Sequence, residues 1–247
     1  MDISGNTIFI PGGTSGIGLA LAQRLQSAGN TVVIGGRRTD VLDRLGAEHG
    51  FGTVTIDISD PASVLSARDA VLAAHPDLNV LIAMAGIMVA EDVTTADFLD
   101  EAERVIDTNV LGPVRLISAF TEHLQTRPDA TIMTVSSGLA HTPLRATPSY
   151  NASKAFIHQF TESIRLQFAG TSVQVIELVP PAVRTELMPG QSQIDAFLPL
   201  DDYVDETMSL LASQPDATEI LVERVKPLRF SEMNGAYEQA IAMVNSH

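Results

Sequence analysis

The chain has 247 residues and no cysteine, which excludes a disulfide framework, a cysteine nucleophile and a thiolate metal site. Its 15 basic residues stand against 30 acidic ones, and a formal charge of −15 repels both phosphate backbones and anionic bilayers, so neither nucleic acid nor a membrane surface is expected as a partner. Hydrophobic residues at 45% and charged ones at 18% mark a globular chain.

No apolar run approaches the ~18 residues that a membrane span needs. The start Met1-Asp2-Ile3-Ser4-Gly5 lacks the basic and apolar stretches of a signal peptide, so a cytoplasmic location is expected. Thr7-Ile8-Phe9-Ile10 reads as a buried strand, and Gly16 to Ala28 as a helix with Leu19, Ala20, Leu21, Ala22 and Leu25 on its apolar face and Gly29 as its stop. Thr31-Val32-Val33-Ile34 is the second strand, and Thr39 is placed to cap a helix running to about His49. Thr53-Val54-Thr55-Ile56 is the third strand. Asp60-Pro61 then opens a helix, with the acid as N-cap and proline at the first helical position. Val80-Leu81-Ile82-Ala83 is the fourth strand.

From Thr95 to about Gln125 the pattern predicts two helices meeting near Leu111-Gly112-Pro113. Thr131-Ile132-Met133-Thr134-Val135 is the fifth strand, a long helix runs from about Pro148 to Phe168, and Val173 to Val179 is the sixth strand. A short strand near Ile220-Leu221-Val222 closes the series. The stretch Pro180 to Pro199 has little periodicity and reads as a lid or a plain surface connection. Continuous apolar strands interleaved with helices imply one domain over residues 1–247, a doubly wound parallel sheet of about seven strands with helices on both faces.

The first strand runs through Pro11-Gly12-Gly13-Thr14-Ser15-Gly16-Ile17-Gly18 directly into a helix. Glycines permit positive φ and let backbone N–H groups approach a pyrophosphate, with the positive end of the helix dipole behind them. The spacing Gly12, Gly16, Gly18 differs from the common dinucleotide fingerprint, and a tight turn with close helix packing explains a lone glycine turn equally well. No Lys-Ser/Thr pair follows, so it is not a P-loop. At the end of the second strand, where an NAD-binding fold places an acid for the ribose, stand Arg37 and Arg38. A guanidinium pairs bidentately with a 2′-phosphate, which favours NADP(H) and leaves NAD(H) possible; two solvated loop arginines are the alternative.

Tyr150-Asn151-Ala152-Ser153-Lys154 opens a helix and puts the tyrosine and the lysine on one face, a turn apart. At ~5 Å and an effective dielectric of ~20, the ammonium attracts a phenolate by about 3 kcal/mol. That lowers the phenol by roughly two pKa units, which suits a proton donor to a forming alkoxide. Ser136 and Ser137 close the fifth strand, at the edge where ligands bind in parallel sheets.

Taken together, these motifs resemble the short-chain dehydrogenase/reductase (SDR) family, in its branch of about 250 residues with a Rossmann fold. The resemblance runs over essentially the whole chain. The family's T-G-x-x-x-G-x-G pattern falls on Pro11 to Gly18, its adenine-contacting D-V pair on Asp57-Ile58, and its N-N-A-G segment on Ala83-Met84-Ala85-Gly86. The catalytic asparagine falls on Asn109, the catalytic serine, thirteen positions before the tyrosine, on Ser137, and the Y-x-x-x-K pair on Tyr150 and Lys154. The nicotinamide-holding segment falls on Pro180-Pro181-Ala182-Val183-Arg184-Thr185. The wording P-P-A-V-x-T-E-L and a late V-E-R-V-K look most like the DltE-like oxidoreductases.

The resemblance implies an NADP-preferring oxidoreductase that interconverts a carbonyl and a secondary alcohol. Tyr150 is then the acid/base, Lys154 tunes it and bonds the nicotinamide ribose, Ser137 orients the carbonyl, and Asn109 anchors a water beside Lys154. Gly12, Thr14, Ser15, Gly16, Ile17, Gly18, Arg37, Arg38, Asp57, Ile58, Ala85, Gly86, Val183 and Thr185, with Tyr150 and Lys154, are the implied cofactor-binding residues. Three positions depart from the pattern. Pro11 removes a threonine that ties the glycine turn, Met84 removes a polar group near the cleft, and Pro181 stiffens the nicotinamide loop. A cofactor-binding sensor that kept the fold and lost turnover is the alternative that Pro11 and Met84 leave open. Nucleotide-sugar epimerases share the tyrosine and lysine but usually carry a larger C-terminal domain.

Leu187, Met188, Ile194, Phe197 and Leu198 make the segment Glu186 to Leu200 apolar, so a small or medium hydrophobic ketone, aldehyde or alcohol is the expected substrate. Arg145 and Arg184 are the candidate anchors for an anionic one, and His141 either lines the cleft or packs in its loop. A homodimer or homotetramer is implied through the long helices, and Leu116, Phe120, Phe156, Phe160 and Ile164 are compatible with such contacts, although burial against their own sheet explains many of them equally well. The six histidines are scattered in the chain, and no metal site is expected.

Overall fold

A computed structural model describes residues 1–246. The apolar runs are strands: β1 (Thr7–Pro11), β2 (Thr31–Gly36), β3 (Gly52–Thr55), β4 (Val80–Ala83), β5 (Ala130–Val135), β6 (Val173–Leu178) and β7 (Glu219–Ile220). They form one seven-stranded sheet in the order β3-β2-β1-β4-β5-β6-β7, each neighbouring pair parallel. The helices between them are α1 (Gly16–Ser27), α2 (Thr39–His49), α3 (Pro61–Ala74), α4 (Leu99–Ile106), α5 (Gly112–Gln125), α6 (Pro148–Gln167) and α7 (Leu200–Ser213), and α8 (Lys226–Arg229) and α9 (Tyr237–Val244) follow the last strand.

Strand periodicity sorts the core into two layers. Ile8 and Ile10 of β1 point to one face, where they join Leu21 and Leu25 of α1, Leu45 of α2 and Tyr203 of α7. Phe9, between them, points to the other and joins Val64 and Val71 of α3, Phe120 of α5 and Ile164 of α6. Its ring lies 5.5 Å from that of Phe120. Each such large side chain stabilises the fold by about 1.5–3 kcal/mol on burial. This is the Rossmann arrangement expected. Strand order reverses between β1 and β4, which opens a crevice at the carboxyl edge.

Asp60 caps α3 as expected, its Oδ1 accepting from the Ala62 N–H at 2.9 Å. One local expectation needs correction. Thr39 does not cap α2; Arg38 holds the N-cap position and Thr39 is already helical. As expected, two helices, α4 and α5, meet at Leu111-Gly112-Pro113. A π turn at Asp107–Leu111 joins them, with helical φ and ψ at Leu111 and Gly112. Pro113 has no N–H to give, and the backbone meets it with a widened turn.

The two readings of the long helices' apolar residues divide by position. Leu116 and Phe120 are fully buried and Ile164 nearly so, all against their own sheet. Phe156 is exposed and stacks on Phe160 at 5.7 Å. Among the described residues, no helix is long and apolar enough to cross a membrane.

Candidate active site

The crevice begins at the glycine turn. Gly12 (φ +93°) and Gly16 (φ +52°) both take the left-handed region. A Cβ on Gly12 would lie 2.7 Å from the Ala85 backbone, and one on Gly18 would lie 2.3 Å from the Gly12 carbonyl oxygen. The turn is therefore pressed against the end of β4, and α1 against the turn. Ser15 holds the N-cap of α1 without a side-chain cap, and no acid stands in the first helical turn. The leading N–H groups and the positive dipole end are thus available to an anion, and the cradle fits a pyrophosphate. Pro11 does not loosen it: Gly12 N–H donates to the Gly35 carbonyl at 2.8 Å and Gly13 N–H to that of Ile10 at 3.0 Å. Met84 packs beside Gly18 and against the apolar layer.

Arg37 and Arg38 are exposed at the end of β2. Arg38 Nη2 donates to Thr14 Oγ1 at 3.3 Å and so ties β2 to the glycine turn. Gly36 makes room, since a Cβ there would meet Thr14 Cγ2 at 2.8 Å. Beyond β3, the Asp57 carboxylate accepts from Ser59 Oγ at 2.6 Å and Ser59 N–H at 3.0 Å. The Ser59 hydroxyl holds it below the ordinary carboxylate value, and Arg37 adds a smaller pull. The Ile58 side chain is buried against Gly112.

Asn109 lies in the π turn and is almost fully buried. Its Oδ1 accepts from Ile87 N–H at 2.8 Å, and its Nδ2 donates to the Ile87 carbonyl at 2.8 Å and to Ser153 Oγ at 3.2 Å. It clasps the segment after β4 to α6. Lys154 is buried beside Gly86, where a Cβ would come within 3.7 Å of Nζ. Lys154 Nζ donates to the Val135 carbonyl at 2.9 Å and lies 5.5 Å from the centre of the Tyr150 ring. Ser137 Oγ accepts from Leu139 N–H at 3.1 Å.

Burial pushes the Tyr150 phenol up to about 12, against a smaller downward pull from the Ser137 hydroxyl. Burial also lowers Lys154 to about 8. The expected depression of the phenol by the ammonium is therefore overturned. Nζ is turned to a backbone carbonyl, and loss of water is the larger effect on both groups.

After β6, Val183 forms a parallel bridge with Leu198, and Thr185 reaches back to the glycine turn, 3.5 Å from the place of a Gly16 Cβ. Arg184 is not available as a substrate anchor. Its Nε and Nη2 donate to the carbonyls of Phe197 at 3.0 Å and Asp195 at 2.6 Å. Arg145 lines a separate cavity of about 340 Å³ with Pro143, Ile241 and Asn245. His141 lines a cavity of about 350 Å³ with Arg229, Ser231 and Tyr237, and burial takes its imidazole down to about 4.

Two features escape the linear reading. Glu91 Oε2 accepts from Ser149 N–H at 2.8 Å, so a distant carboxylate sits at the N-terminus of α6. His141, His158 and Glu177 gather behind β5, although far apart in the chain. The visible sign is Glu177 itself, an acid inside an apolar strand that demands a buried partner.

Comparisons with known proteins give the family and the fold. A family model described as short chain dehydrogenase matches residues 6–194. The chain belongs to that family. It is an oxidoreductase by that membership. Over 191 residues it is 40% identical to the uncharacterized oxidoreductase DltE of Bacillus subtilis, covering 76% of this chain and 75% of that one. It is 32% identical to sulfoacetaldehyde reductase 2 of Chromohalobacter salexigens over 72% of this chain and 73% of the relative. Among solved structures, a short chain dehydrogenase from Burkholderia cenocepacia in complex with NADP superposes with a TM-score of 0.82 at 25% identity, over 98% of each chain.

Proposed function

We propose that this short-chain dehydrogenase reduces a small or medium hydrophobic ketone or aldehyde with NADPH, and runs in reverse on the secondary alcohol, with NAD(H) the poorer cofactor. The reading is carried by the meeting of Ser137, Tyr150, Lys154 and Asn109 at the carboxyl edge of the sheet, beside the glycine turn. Gly12, Thr14, Ser15, Gly16, Ile17 and Gly18 hold the pyrophosphate through N–H groups and the α1 dipole. Arg37 and Arg38 take the 2′-phosphate. Asp57, Ile58, Ala85 and Gly86 line the adenosine side, and Val183 and Thr185 the nicotinamide side. When bound, the dinucleotide supplies the hydride.

The residues supply the proton and the orientation. Burial keeps Tyr150 protonated at neutral pH and also makes its phenolate costly, so it can give its proton to the carbonyl oxygen only with a cation beside it. Ser137 donates to the same oxygen and stabilises charge developing there. The Lys154 ammonium, freed from Val135, offsets the cost of the phenolate and bonds ribose hydroxyls. Asn109 holds Ile87 and Ser153 and so keeps the wall beside Lys154 in place. The substrate is uncharged, because Arg184 is spent on its own segment while Leu187 and Ile194 stand exposed on it. Copies pair as a dimer or tetramer through Phe156 with Ile106 and Leu111, all exposed.

The test follows nicotinamide absorbance with NADPH and with NADH against neutral and anionic ketones and aldehydes. NADPH consumption with neutral carbonyls, slower with NADH, is the expected result. Oxidation of neither cofactor, or turnover of anionic carbonyls alone, defeats the reading.

A further inference from the structure

The polar cluster behind β5 takes no part in the reaction above. Glu177, on β6, is fully buried. Its carboxylate oxygens lie 3.0 and 2.9 Å from His158 Nδ1, and the Ser136 hydroxyl donates to Oε1. His141 follows the short turn Gly138–Ala140 and sets its ring edge-on to that of His158, with centres 4.6 Å apart. One donor atom from each of His141, His158 and Glu177 lies within 4.8 Å of the other two. Among the described residues, His141 Nε2 is a buried nitrogen without a hydrogen-bond partner. Such an atom is costly unless something binds it.

We propose that His141, His158 and Glu177 bind one first-row divalent cation, with zinc the best match. Two imidazoles and a carboxylate form the nitrogen–oxygen donor set that zinc takes at ~2.0–2.2 Å. Bonds of that length set tetrahedral donors about 3.4 Å apart, so a turn of the His141 ring brings the set within reach. Calcium and magnesium prefer oxygen donors alone. The three donors come from the segment after β5, from α6 and from β6, and the ion pins these together. The cavity that His141 lines with Ser231 and Tyr237 approaches the cluster from the His141 side alone, and on that side it leaves room for a water as fourth ligand. Arg229, the cation on the same cavity wall, is drawn to Glu219 through Nε at 2.7 Å and Nη2 at 3.2 Å, although its charge still bears on both imidazoles and opposes a cation there.

The test uses the untagged full chain, stripped with a chelator and dialysed. Zinc chloride is titrated by calorimetry, and cobalt chloride by visible absorption. Saturable uptake of one zinc per chain, a higher melting temperature with zinc, and the strong visible bands of tetrahedral cobalt are expected. His141→Ala alters a cavity wall and leaves the His158–Glu177 pair intact, so its circular dichroism stays that of the parent while zinc affinity falls by roughly tenfold or more. His75→Gln, on the far side of the sheet order beside Gly52, leaves affinity unchanged. No saturable uptake at micromolar zinc, or equal uptake by the parent and His141→Ala, overturns the site. The readout is metal binding, so it stands apart from the oxidoreductase reading.

Discussion

Lys154 Nζ is hydrogen-bonded to the Val135 carbonyl at 2.9 Å, which anchors the amine of α6 to the last residue of β5. That bond keeps the nitrogen inside the protein, and burial takes its pKa from 10.5 to about 8. The ammonium is therefore present below about pH 8 and lost above it. We expect kcat/KM for NADPH, which reports groups of the free enzyme, to fall as pH rises through about 8. Stability moves the other way. A lysine whose folded value is depressed destabilises the fold while charged, and this cost fades as pH rises from about 8 toward 10.5. Activity lost in that window without any fall in melting temperature identifies titration of Lys154, whereas a flat profile to pH 10 excludes it.

Tyr150→Phe isolates the phenol from the ring that carries it. The side chain is buried, and phenylalanine keeps its packing. The hydroxyl lost is one that burial already disfavours as an anion, so the fold should not suffer. We expect kcat to fall by about 10²–10⁴-fold, the usual reach of a general acid. NADPH affinity, read by fluorescence titration, should stay within a few-fold. Near-parental turnover would remove Tyr150 from the mechanism.

Arg37 and Arg38 are exposed, and the fold asks little of them beyond the Arg38–Thr14 bond. Their loss should therefore be read in cofactor choice and not in stability. A hydrogen bond to a charged group contributes about 1.5–3 kcal/mol, so Arg38→Ala is expected to raise the KM for NADPH by roughly 10–150-fold. The KM for NADH should hardly move, and the loss should shrink at high salt. Equal weakening of both cofactors would mean that the guanidinium supports the glycine turn and not the 2′-phosphate.

The strands that are legible in the sequence are those covered on both faces, because burial leaves an unbroken run of apolar residues. Val80–Ala83 is read residue for residue. At β3 Thr53 and Thr55 are exposed and Val54 is only half-buried, and the run ends with Ile56, which is buried just beyond the strand. The π turn at Asp107–Leu111 is invisible, since one extra residue rotates the apolar face without interrupting it. The pattern leaves Leu116 and Phe120 open between an outer face and their own sheet, and only the fold decides for the sheet.

The candidate site divides in the same way. Side chains in a fixed local spacing, such as Tyr150 and Lys154, are legible. The partner of Lys154 is not, because it is a main-chain carbonyl with no letter of its own. Glu177 shows a charge in an apolar strand, while His158, which answers it, is nineteen residues away on another element.

Glu91 is the clearest case of a contact that only the fold creates, and it bears on the catalytic helix. Thr147 holds the N-cap of α6 but does not cap it, since its hydroxyl donates to Asn151 Oδ1 at 3.2 Å. Glu91 stands in for the missing cap. Its Oε2 accepts from Ser149 N–H at 2.8 Å, and its own N–H donates to the Ala146 carbonyl at 2.9 Å. A carboxylate there meets the positive end of a helix of 20 residues, one residue before Tyr150. Removal of a cap costs about 1 kcal/mol, which for a chain of this size lowers the melting temperature by about 2–4 °C. Glu91→Ala is expected to show that loss together with a fall in kcat, because the first turn of α6 positions the phenol. Glu91→Gln keeps an acceptor oxygen and should recover most of the stability. Thermal melts and steady-state kinetics on the two variants decide the matter, and an unchanged kcat in Glu91→Ala would show that the helix end holds Tyr150 in place without this carboxylate.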